Sequence, residues 1–183
     1  EIRDKEGKVL RNKKGEYFYH AHNSKEPYTG WVKQSIRVQE IGDQRAYLHR
    51  YLQRVKDGKK HGVRGGWHEN GQKIYEANFK DGKQHGLETY FCGSEFLAPY
   101  QGKKESNYKD GKRHGLKTTW LSDGTKRSET NYVDGKKHGL ETEWNRDGTE
   151  RSTTSYKDGK RHGLETKWLS DGTKRSETSY VDG

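Results

Sequence analysis

The 183-residue sequence is short of nearly everything that fills a conventional protein interior. Cysteine occurs once, at Cys92, so no intrachain disulfide can staple the fold, and the redox compartment is left open. No run of 18 apolar residues exists, which excludes a transmembrane helix. Leu, Ile, Val and Phe together number 25, and only 26% of residues are hydrophobic against 35% charged. With a formal net charge of +10, such a composition ordinarily points to disorder. No secretory leader is visible and the chain opens at Glu1, which reads as a processed or trimmed chain and leaves export undecided.

Five tryptophans and twelve tyrosines argue the other way, because they recur at a fixed interval. A chain of this kind cannot fill a thick core, but it can bury a thin aromatic stripe many times over, as repeat proteins do. Five segments read alike: VKDGKKHGV from Val55, FKDGKQHGL from Phe79, YKDGKRHGL from Tyr108, YVDGKKHGL from Tyr132 and YKDGKRHGL from Tyr156. A sixth, YVDG from Tyr180, stops in mid-repeat at Gly183, which leaves open whether a segment follows. The steps are 24, 29, 24, 24 and 24 residues, and the long step carries a five-residue insertion within Cys92 to Gly102.

Residues 140 to 156 show the unit. Leu140, Thr142 and Trp144 alternate with Glu141 and Glu143, and after Asn145-Arg146-Asp147-Gly148-Thr149 the residues Ser152, Thr154 and Tyr156 alternate with Arg151, Thr153 and Ser155. Period-two alternation around Asp-Gly predicts an antiparallel hairpin, because tight turns need the positive φ that glycine adopts freely. Asp158-Gly159-Lys160-Arg161-His162-Gly163, with two glycines, reads as a second turn. One face is then expected to carry Leu, Thr and Trp from the first strand with Ser, Thr and Tyr from the second, and the other face Glu, Lys, Arg and Asn. The expectation is an all-β fold, an elongated single-layer antiparallel meander of tandem hairpin repeats of about 24 residues.

Residues 1–27 form a lead-in, with a strand expected over Glu16 to Tyr19, and 28–183 form the array. Pro27 to Val32 reads as a turn leading into an irregular first repeat over 28–54. Within it, Arg45 to Arg54 suits a long hairpin, with a short helix as the alternative. The second irregularity is the insertion near 92–102.

The initial aromatic, the Asp-Gly, the Lys-x-His-Gly and the Trp-x-x-Asp-Gly of each unit resemble the MORN repeat in its bacterial variant form. The resemblance runs from about Pro27 to Gly183. It implies a hairpin array and assigns no activity to particular residues. Proteins of this kind range from membrane-associated scaffolds to antitoxins of toxin–antitoxin pairs of the YwqK-like kind. The implied source is bacterial, with the chain exported, in the cell envelope or cytoplasmic.

Candidate chemistry is sparse. His61, His85, His114, His138 and His162 recur one repeat apart, about 9.6 Å, too far for two to share a metal ion with bonds of about 2 Å. Each is expected to make a local turn contact, and no metal or cofactor is expected. Ser, His and Asp abound only because the repeat multiplies them, and a single-layer sheet offers no deep cleft, so no catalytic residue is assigned. Trp67, Trp120, Trp144 and Trp168 are expected to pack with Tyr132, Tyr156 and Tyr180 as the thin core. Where that stripe stays open it would receive another protein, together with Phe96 and Tyr100 of the insertion. The alternative partner is an anionic membrane or envelope surface, met by the turn residues Lys112, Arg113, Lys136, Lys137, Lys160 and Arg161. No nucleic-acid motif is present, and open sheet edges or the aromatic face leave self-association open.

Overall fold

Asp-Gly is where the chain reverses most tightly. In the computed structural model, which describes residues 29–39, 46–68, 71–91 and 102–181, Asp134 and Gly135 both take positive φ, 48° and 89°. Val133 pairs directly with Lys136 across them. This is a two-residue type I′ hairpin, whose twist matches that of the flanking strands. Asp57, Asp81, Asp110 and Asp158 adopt the same left-handed conformation.

The strands are β1 (Gly30–Gln39), β2 (Ala46–Lys56), β3 (Lys59–Trp67), β4 (Lys73–Lys80), β5 (Lys83–Phe91), β6 (Lys103–Lys109), β7 (Lys112–Trp120), β8 (Lys126–Val133), β9 (Lys136–Trp144), β10 (Glu150–Lys157), β11 (Lys160–Trp168) and β12 (Lys174–Tyr180). They follow one another in chain order as an open antiparallel meander sheet, as the sequence predicts. By compactness the chain divides within β5 into residues 1–86 and 87–183.

In the first unit, β1 and β2 pair without interruption from Gly30↔Val55 to Gln39↔Ala46. Residues 46–54 of the first repeat therefore form strand rather than helix, and residues 40–45 lie outside the described residues. Gly30 to Val32 already belong to β1 rather than to a turn; Thr29, just before them, receives the Asp57 backbone N–H on its Oγ1 at 2.9 Å. Val32, Gln53, Val55 and Ala77 are buried. The Trp67 indole folds back over Gly65, where a Cβ would lie 2.3 Å from the ring. The strand expected at Glu16–Tyr19 lies outside the described residues, as do residues 92–101 of the insertion.

The second unit repeats one hairpin. Two of its Asp-Gly turns are tied to the preceding repeat: Gly135 N–H donates to the Arg113 carbonyl and Gly159 N–H to the Lys137 carbonyl, both at 2.8 Å. The other connection spans residues 145–149. Gly148 N–H donates to the Asn145 carbonyl (3.1 Å), Asn145 N–H to the Thr149 carbonyl (2.8 Å), and the Asp147 carboxylate accepts from Thr149 N–H (2.9 Å). The loops at 121–125 and 169–173 repeat this pattern.

Two bulges punctuate the repeat formed by β8 to β11 and correct the expected faces. Glu150 pairs with Trp144 but Ser152 pairs with Glu143, so Arg151 is an extra residue. Thr154 consequently lies opposite Glu141, not opposite Leu140. A one-residue slip moves a whole strand to the other face. Tyr156 and Thr154 therefore share a face with Glu141, while Trp144, Thr142 and Leu140 occupy the opposite one. The second bulge sets His138–Leu140 against the single residue Asn131, with Gly139 at φ 82°. Lys160 to Gly163, expected within a turn, likewise belong to β11, and Gly163 takes φ 90° at its bulge.

Candidate functional site

Register alone places Thr130, Glu141, Thr154 and Glu165 side by side across β8 to β11. Tyr132 and Tyr156 stand two residues further along the same face. The Lys137 ammonium donates to both Glu141 carboxylate oxygens at 2.7 Å and lies 4.6 Å from the Tyr156 ring centre. Thr130 Oγ1 donates to the same carboxylate at 3.0 Å. One repeat on, the Arg161 guanidinium lies 5.4 Å from the Tyr180 ring centre and donates to its hydroxyl, which donates to Glu165 at 3.1 Å. Partial burial pushes the Glu141 carboxyl up, but hydrogen bonds from Lys137 and Thr130 and the Lys137 charge outweigh it and hold the group below the usual carboxylate range. Glu165 follows the same logic: desolvation opposes, and Tyr180 and Lys167 prevail. Glu141 is thus part-buried, whereas Glu143, on the same strand, is exposed.

This tyrosine face has one irregular member. Glu88, Glu141 and Glu165 follow the His-Gly-Leu of their repeats, but the equivalent residue in β7 is Lys117. Lys117 sits directly opposite Ser106 and Thr130. Its pKa is lowered, first by desolvation and then by repulsion from Lys104, Arg113 and Lys137. Ser106, 1% exposed, has a hydroxyl with no hydrogen-bond partner among the described residues.

The tryptophan face is built differently. Thr118, Thr142 and Thr166 are buried along its middle, and Trp120, Trp144 and Trp168 are half-buried beside them. Lys103 lies 4.2 Å from the Trp120 ring centre and Lys126 lies 5.1 Å from that of Trp144. At the other end of each strand Leu116, Leu140 and Leu164 are 47%, 53% and 51% exposed. They face Asn131, Ser155 and Ser179 across the sheet, side chains too small or polar to cover them. The tryptophans thus do not pack with Tyr132, Tyr156 and Tyr180, which lie on the opposite face. Trp67, in the first unit, is half-buried with Lys73 5.9 Å from its ring centre. Phe96 and Tyr100 lie outside the described residues.

The turn cations do not form one row. Lys112, Lys136 and Lys160 are exposed, whereas Arg113, Lys137 and Arg161 are spent on the rings of Tyr132, Tyr156 and Tyr180. Three of the histidines reach across repeats: Nδ1 of His61, His114 and His138 lies 3.5, 3.5 and 3.7 Å from Asp81, Asp134 and Asp158 of the following turn. Among the described residues, no three His, Cys, Asp or Glu side chains gather as a metal site.

At the loop end of the second unit lies a groove of about 410 Å³ lined by Leu121, Arg127, Trp144, Asn145, Arg146 and Arg151. Arg127 and Arg151 are bulge residues, each the extra residue after its hairpin loop. Sequence reasoning missed both this groove and the leucine row. The signal present was Arg146, which stands where the neighbouring repeats carry Ser122 and Ser170. No known family model and no curated protein sequence matches the chain.

Proposed function

We propose that the chain is a non-catalytic protein-binding scaffold that receives its partner on the tryptophan face of the second unit. The observation that carries this reading is the row Leu116, Leu140 and Leu164, each about half exposed, on the face that carries the half-buried tryptophans at the other strand end. Successive members stand two strands, about 9.6 Å, apart. Exposed apolar rows backed by aromatic anchors are what protein interfaces bury, and a single layer has nothing of its own to place there. The likeness of the units to bacterial MORN-type repeats supports a scaffold, with an antitoxin- or immunity-like role as its narrower form. Replacing Leu116, Leu140 and Leu164 together by serine leaves the buried residues untouched. It is expected to weaken retention of the partner at least tenfold without altering the far-ultraviolet circular dichroism; unchanged retention overturns the reading.

A second reading, an anionic membrane or envelope surface, is favoured by Lys112, Lys136 and Lys160, which are exposed at one register position beside successive Asp-Gly turns. Sedimentation with phosphatidylserine vesicles should then be abolished by Lys112→Glu, Lys136→Glu and Lys160→Glu together and weakened by moderate salt. Sedimentation that ignores the triple reversal removes this reading.

A further inference from the structure

The groove at the loop end concentrates three guanidinium groups around an apolar wall and has no acidic residue in its lining. Arg127 and Arg151 make no ion pair among the described residues. Arg146 acts electrostatically on Asp123, a carboxylate already accepting the Thr125 backbone N–H at 2.8 Å. The placement follows from the fold: a bulge re-aims the side chain of its extra residue, and the repeat puts arginine at that residue in successive hairpins. Arg146 joins them from the intervening loop, a position that is serine in the repeats before and after. Trp144 and Leu121 supply a flat apolar wall between the charges.

We infer that this groove is a recognition site for an acidic peptide segment in which carboxylates flank an apolar side chain. It deepens the protein-binding reading by naming a chemistry for the partner. Guanidinium forks match carboxylates bidentately. Arg127 and Arg151 belong to strands two apart, so their backbones are separated by about 9.6 Å. An extended peptide rises about 3.3 Å per residue, so carboxylates two or three residues apart span that distance, and the side chain between them meets the indole. Rim charges of this kind chiefly raise the association rate and the salt sensitivity of binding.

The test is calorimetric titration of the full chain with the peptide acetyl-Glu-Glu-Leu-Glu-Glu-amide at low salt. Saturable binding at one site is expected, weakened at least tenfold by Arg146→Ser. That variant introduces the residue found at the equivalent positions, so the fold is retained. Placed on the Arg146→Ser background, the reverse change Ser170→Arg should restore one-site binding by moving the cluster one repeat along, to Arg151, Arg175 and Trp168. The same peptide with glutamine for glutamate should not bind. Binding that ignores Arg146→Ser overturns the proposal, as does Arg146-dependent binding of inorganic phosphate or phosphatidylserine vesicles in place of the peptide. Leu116, Leu140 and Leu164 do not line the groove, so a negative titration leaves the leucine row to its own variant, and failure of that variant leaves the groove standing.

Discussion

Replacing Lys117 by glutamate is expected to stabilise the second unit, against the usual tendency of substitutions to destabilise. Lys117 is half-buried opposite Ser106 and Thr130, with Lys104, Arg113 and Lys137 close enough to disfavour its charge. Its lowered pKa means that the cost of charging it is present at neutral pH and is relieved only as pH rises through that lowered value. A carboxylate there would attract the three cations, which outnumber the one opposing charge, Glu141, and would give the buried Ser106 hydroxyl an acceptor. A hydrogen bond to a charged group contributes roughly 1.5–3 kcal/mol. Partial exposure and side-chain ordering reduce this to about 1 kcal/mol, or a rise of roughly 2–4 °C in melting temperature for a chain of this size. Thermal melts followed by circular dichroism provide the assay, read as the shift of the transition because repeat arrays need not unfold in two states. A double-mutant cycle with Ser106→Ala should show coupling only where the carboxylate is present. A melting temperature lowered by Lys117→Glu would refute the reading of the tyrosine face as a set of Glu–Tyr–cation clusters.

Acid should loosen the same face. Glu141 and Glu165 have depressed pKa values, so their contribution is complete above the ordinary value of 4.5 and is lost as pH falls through the depressed ones. A titration followed by tyrosine near-ultraviolet circular dichroism is expected to hold flat from neutral pH to about 4.5 and to fall below it; a transition centred near neutrality would contradict this. Deleting Arg151 alone removes the bulge and drives Thr154 and Tyr156 toward the tryptophan face. Hydrogen exchange should then show lost protection in β10 and β11 with β6 to β8 retained, and protection equal to the parent in all strands would show that the bulge does not set the register.

Legibility in the sequence divides along physical lines. The 24-residue period, the Asp-Gly reversals and the all-β meander could be read because each rests on local chemistry repeated many times. The faces could not be read by counting alternation through residues 140 to 156, because Arg151 adds one residue that no propensity marks, and one residue is enough to exchange Tyr156 from the side of Trp144 to that of Glu141. Burial was misjudged for a related reason. Glu165 is 7% exposed and Leu140 is 53% exposed, the reverse of what polarity predicts, because tyrosine rings and their stacked cations roof the glutamate while only Ser155 stands opposite the leucine. His114 and His138 contact the next repeat because the turns stack, as the Gly135 and Gly159 hydrogen bonds to the preceding repeat show.

The partner-scaffold account is tested most directly by affinity capture from the source cell at low and moderate salt, with bound proteins identified by mass spectrometry. The parent chain would be compared with the Leu116→Ser, Leu140→Ser, Leu164→Ser variant. The account predicts one protein retained by the parent at both salts and lost with the leucine variant. Retention that survives the leucine variant, or that vanishes at moderate salt and with Lys112→Glu, Lys136→Glu and Lys160→Glu, would contradict it and place binding on the lysines beside the Asp-Gly turns.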